Sequence, residues 1–85
     1  PTITNGDTVI CEKLETGDPI RDNHVYVIVT DVVVAKRVQQ IKTGNSLTDL
    51  RLISDNPTYQ PYVIGVEEIR QIFKVKRRIT IYSFN

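Results

Sequence analysis

Asp31-Val32-Val33-Val34-Ala35-Lys36-Arg37-Val38 is the stretch whose reading decides the fold. It is short and β-branched, the composition of a strand covered on both faces. Side chains alternate along a strand, so Lys36 shares one face with Val32, Val34 and Val38, while Arg37 shares the other with Val33 and Ala35. One of the two cations therefore rests against apolar surface. An ammonium held there is pushed toward its neutral form, and a neutral amine can act as a general base. That makes Lys36 the candidate catalytic residue.

Outward from this strand, strand signals dominate and no long helical period is seen. His24 to Thr30 reads as a strand, joined through Thr30-Asp31 to the lysine-bearing one as a tight hairpin. Before it, Gly6-Asp7 turns the chain into a first strand from about Thr8 to Lys13, with Val9 and Cys11 on one face. Leu14 to Asn23, with Gly17, Asp18, Pro19, Asp22 and Asn23, is a loop by composition. On the other side, Lys42 to Ser46 is a turn and Leu47 to Ser54 a strand, with Leu50 and Leu52 in phase. Asp55-Asn56-Pro57 breaks that strand, and Pro61 keeps the next stretch irregular. Glu67-Glu68-Ile69 suits a single helical turn, and Ile72 to Phe84 reads as extended. Five or six short strands with turn signals between them predict a small, curled, mostly-β domain.

Eighty-five residues make one domain, 1–85, with no room for a second core. No apolar run approaches the roughly 18 residues of a membrane span, and no signal peptide is visible. Cys11 is the only cysteine, which rules out an internal disulfide and fits a reducing cytoplasm. The chain starts at Pro1 and has no methionine, so it reads as a fragment of a longer protein. All ten acids fall in positions 1–68, where six Lys and Arg leave a local charge of −4. The last seventeen residues carry Arg70, Lys74, Lys76, Arg77 and Arg78 and no acid. Such asymmetry marks either an anionic partner or an edge strand whose lysines discourage pairing; the edge strand is the preferred reading.

Four stretches, in order, resemble the C-terminal domain of LexA-type and phage-type repressors, which are self-cleaving serine peptidases with a Ser-Lys dyad. Pro1-Thr2-Ile3 with Asn5-Gly6-Asp7-Thr8-Val9 is similar to the end of the family's Ser-Met-x-Pro-Thr-Ile…Gly-Asp segment. Asn23-His24-Val25-Tyr26-Val27-Ile28 resembles the strand after a short acidic loop. Ala35-Lys36-Arg37-Val38 is similar to the Val-Lys-Arg motif that supplies the catalytic lysine. Leu52 to Pro61 resembles the Leu-x-Ser-x-Asn-Pro-x-Tyr-x-Pro loop. The resemblance implies a curled or barrel-like β domain of the LexA/signal-peptidase type, and Lys36 as general base. It implies no cofactor and no metal. The family's serine lies three residues before the proline of Pro-Thr-Ile, which here places it upstream of Pro1. This fragment therefore lacks its nucleophile and should be inactive alone. Val34, facing the same way as Lys36, also lacks a hydroxyl with which to orient the amine.

The resemblance further implies a cytoplasmic transcription regulator whose missing N-terminal domain binds operator DNA and whose C-terminal domain forms a homodimer. Ile79, Ile81, Tyr82 and Phe84, close to the chain end, are the candidate dimer surface. Two rivals stand beside this reading. A signal-peptidase-like protease shares the Ser-Met-x-Pro-Thr and Lys-Arg elements, but the Ser54 to Pro61 loop argues against it. A small β-barrel could instead bind nucleic acid through Arg70 to Arg78. Other polar residues carry less. His24 reads as a surface strand-end histidine, and Ser54 as a turn cap, with Ser46 the other hydroxyl nearest the motifs. Cys11 reads as a small core residue. Asp7 and Asp18 belong to Gly-Asp turns without a third metal ligand. Tyr59, Tyr62, Phe73, Tyr82 and Phe84 suit packing better than base stacking, because they are spread over two segments without a regular interleaved basic pattern.

Overall fold

A computed structural model describes residues 7–15 and 17–80, with side chains described for 9–15 and 17–76. Six strands make up the described architecture: β1 (Asp7–Lys13), β2 (Val25–Val29), β3 (Val33–Thr43), β4 (Ser46–Ile53), β5 (Tyr62–Gly65) and β6 (Gln71–Thr80). A single 3-10 turn, Val66–Glu68, precedes β6. All neighbours pair antiparallel, in the order β1-β6-β2-β3-β4-β5. The mostly-β expectation holds. The sheet stays open, with β1 and β5 as its two edges.

Local sequence explains the meander from β2 to β5. The β2–β3 hairpin closes over Thr30–Val32, where Thr30 N–H donates to Val32 O at 2.9 Å. Gly44 adopts φ +62° at the first position of the two-residue β3–β4 turn, a backbone that L side chains rarely take. The stretch after Pro61, expected to be irregular, forms β5 instead. Proline blocks only its own N–H, and the four residues after it are free to pair with Asp49–Leu52.

The core lies on one face of the sheet. Tyr26, Ile28, Val38, Leu50 and Leu52 are each at most 3% exposed. Burying an aliphatic side chain of this size contributes about 1.5–3 kcal/mol. Two segments cover this face: the loop after β1, through Leu14 and Ile20, and the turn after β5, through Val66 and Ile69. The loop is tied along β3 by backbone and side-chain bonds. Asn23 N–H donates to Val38 O at 2.7 Å, Gln40 N–H to Asp22 Oδ1 at 2.7 Å, and the Gln40 amide to Ile20 O.

Two expectations are corrected here. The lysine-bearing strand is not short or covered on both faces: β3 runs for eleven residues, and its start is bare. Val32 sits in the hairpin turn at 61% exposure and Val33 is 68% exposed, because no element packs over that end. β1 does keep the expected alternation, with Val9 and Cys11 half-buried and Ile10 and Glu12 exposed, because the register shift beside Ile10 and Cys11 puts its extra residue, Lys76, on β6. The basic C-terminal strand is not an edge strand. β6 pairs with β1 on one side and β2 on the other, so its lysines do not guard an open edge.

Candidate active site around Lys36

Lys36 lies midway along β3 on the core face, directly opposite the buried Tyr26. Its same-face neighbours on the strand are half-buried Val34 and fully buried Val38. Val32 adds no shelter. The lysine is half-buried, and its Nζ reaches the rim of the core, 5.7 Å from the centre of the Tyr59 ring. Ammonium and ring face attract at that distance. Among the described residues Lys36 makes no ion pair with an acid.

Arg37 faces the other way. Its Nε and Nη2 donate to the two oxygens of Asp55 at 2.9 and 2.8 Å, and its Nη1 donates to Asn23 O at 2.6 Å. This planar fork joins the end of the β1–β2 loop, β3 and the segment after β4. The hydrogen bond to Asp55 pushes the Arg37 guanidinium further up from its ordinary range, against a smaller opposing effect of burial. Sequence alternation foresaw that the two cations would part to opposite faces. It did not foresee the acid waiting for Arg37.

Residues Ser54 to Tyr59 form a compact loop of nested turns. Ser54 Oγ accepts from Asn56 N–H at 3.1 Å, and Asn56 Oδ1 accepts from Thr58 N–H at 3.0 Å and Thr58 Oγ1 at 2.8 Å. Tyr59 N–H closes the loop onto Asn56 O at 3.1 Å. Ser54 therefore does the turn-capping work expected of it. Arg37 holds the foot of this loop through Asp55, and Tyr59 at its far end folds back over Lys36.

The remaining candidates fall away from this centre. His24 is exposed just ahead of β2, its carbonyl accepting from Val38 N–H at 3.1 Å. Cys11 is half-buried, and burial pushes its thiol up, away from the reactive thiolate. Tyr62 sits exposed on β5, and Phe73 is half-buried on β6 opposite Val27. Lys74 and Lys76 share Glu12 across the β1–β6 pair at 3.7 and 3.1 Å, and Arg70 meets Asp31 at 2.9 Å. Three of the five C-terminal cations are thus answered locally. Ser46 opens β4 and is exposed. Ile81, Tyr82 and Phe84, like Pro1 to Gly6, lie outside the described residues, as do the side chains of Asp7 and Ile79. Among the described residues no His, Cys, Asp and Glu group capable of holding a metal is found. None of the helices there is long and apolar enough to cross a membrane.

Two segments that the sequence linked only by their order, Ala35 to Val38 and Leu52 to Pro61, are thus in contact through two separate pairs of side chains. The family described as Peptidase S24-like matches residues 1–76. The chain belongs to this peptidase S24-like family. No match was found among curated protein sequences or among solved structures. Within the S24-like domain, the matched region takes in the whole core, the lysine-bearing strand and the loop that folds over it.

Proposed function

We propose that this S24-like domain is the C-terminal, self-cleaving and dimerising part of a LexA-like or phage-repressor-like regulator, with Lys36 as its general base. The observation that carries this reading is the placement of Lys36 on the core face, opposite Tyr26 and beneath Tyr59, while Arg37 is drawn to Asp55 on the opposite side. A lysine in this position, with no acid partner among the described residues, has no structural ion pair to maintain.

In the longer protein the Lys36 amine accepts the proton of a serine hydroxyl supplied from upstream of Pro1. The serine oxygen then bonds to the carbonyl carbon of a peptide bond in the same chain. Lys36 returns its proton to the departing amine as the C–N bond breaks, and water later releases the acyl group. Backbone N–H groups stabilise the oxyanion. A tethered substrate needs little binding machinery, because it is already at high effective concentration. Cleavage would part an operator-binding half from the dimerising half and lift repression.

The test is to incubate the longer protein at alkaline pH with and without Lys36→Ala and follow the products on a gel. The variant is expected to cleave about 10²- to 10⁴-fold more slowly, the usual worth of a positioned general base. Equal rates would remove Lys36 from the mechanism. Self-association through Ile79, Ile81, Tyr82 and Phe84 is checked by sedimentation of the domain with Tyr82→Ser and Phe84→Ser. A dimer that persists unchanged would place the contact elsewhere.

A further inference from the structure

A cavity of about 390 Å³ opens between the start of β2, the middle of β6 and the loop after β1. Its size falls within the range of small-molecule sites. Leu14, Pro19 and Val75 supply apolar wall, while Arg21, His24 and Lys74 bring donors to the same space. Lys36 does not line it, although Tyr26, its cross-strand neighbour, does, so the cavity adjoins the proposed peptidase centre without including its base.

The donors outnumber the acceptors. Among the described residues the side chains of Arg21 and His24 make no hydrogen bond or ion pair, although both border the cavity. Lys74 has only a distant share of Glu12, at 3.7 Å, because that carboxylate lies closer to Lys76, at 3.1 Å. Tyr26, 3% exposed, accepts the Arg21 N–H on its hydroxyl at 2.9 Å and retains its own proton to donate. The single acid on the lining, Asp18, is engaged: its Oδ2 accepts from Glu15 N–H at 2.8 Å. A cavity with apolar walls and an excess of cationic and hydroxyl donors is complementary to an oxyanion attached to an apolar group.

We propose that this cavity binds a carboxylate carried on a short apolar body. Arg21 supplies the planar fork that matches a carboxylate, Lys74 and His24 supply further donors, and Leu14, Pro19 and Val75 receive the apolar part. The group could arrive as a free short-chain acid or as the C-terminus of a peptide, and the chemistry recognised is the same.

The experiment is an amide nitrogen–proton NMR titration of this chain. The probes are isocaproate and acetyl-alanyl-leucine with a free C-terminus, beside the amides of both and inorganic phosphate. The expected result is saturable movement of the Val25, Tyr26 and Val75 signals with the two acids and none with their amides. Arg21→Gln should weaken binding about tenfold or more, the usual loss for a charge-assisted hydrogen bond. His24→Gln should weaken it less, and Arg51→Gln, on the exposed surface of β4, not at all. Both substituted cavity residues are exposed, so neither variant threatens the core. Tighter binding of the dipeptide identifies a peptide terminus, and tighter binding of isocaproate a free acid. The proposal is overturned by no saturation at about 50 mM acid, well above the millimolar affinities such a contact supports. It is equally overturned if the amides or phosphate bind as well as the acids, or if Arg21→Gln changes nothing.

Discussion

Arg37 and Asp55 hold each other with side chains only 27% and 23% exposed, and a third donor of the guanidinium reaches the Asn23 carbonyl. An isolated surface pair contributes little, but a two-pronged pair with an added backbone contact is a stronger case. Asp55→Asn removes the charge while keeping the shape, and should cost about 1–2 kcal/mol in urea unfolding. It should also speed hydrogen exchange at Thr58 and Tyr59, because the loop loses its anchor. Unchanged exchange there would mean that the turn bonds of Ser54 and Asn56 hold the loop alone. Glu12 behaves differently. Its hydrogen bond with Lys76, then the charges of Lys74 and Lys76, hold its carboxyl below the usual carboxylate range. A carboxylate lowered on folding stabilises the native state above its ordinary range, and that stabilisation is lost as pH falls through the folded value. Glu12→Gln should therefore lower Tm at neutral pH, with the difference from the parent chain vanishing in acid. A gap that persists at acid pH would point to packing of the Glu12 stem instead.

At the level of elements, β3 and β4 carry the centre of the core. Leu50 is fully buried, and Leu50→Ala should cost about 2–5 kcal/mol. Small domains hold only about 5–15 kcal/mol in total, so the urea midpoint should fall sharply. A loss below about 1 kcal/mol would mean that the site collapses around the missing methyls. The turn joining these strands needs Gly44 at φ +62°, and a Cβ there meets open space, so Gly44→Ala isolates backbone strain from crowding. Its expected cost is about 1–2 kcal/mol. These elements were legible in the sequence because each is signalled locally, by alternating Leu50 and Leu52 or by the Gly44-Asn45 pair. β5 was not. It is four residues long, and only the neighbouring β4 makes it a strand.

For the whole molecule, the deciding feature is the insertion of the last strand between the first two. β6 joins β1 to the β2–β5 meander, its pairing with β2 spanning about half of the chain and its pairing with β1 most of it. Removing residues 71–85 should therefore unfold the domain, seen as collapse of its dispersed NMR spectrum. A folded remnant would show that the meander stands without it. Local signals along the sequence were enough for the β character, for the parting of Lys36 and Arg37 to opposite faces, and for the motifs that place the chain among S24-like domains. Those features depend on side-chain alternation and on residues adjacent in the chain. Four others depended on contacts between distant segments. These are the interior position of β6, the bare start of β3, the return of Tyr59 over Lys36, and the donor-rich cavity between the β1–β2 loop and β6. Periodicity says which face a side chain takes. Only pairing across the sheet says what it meets there.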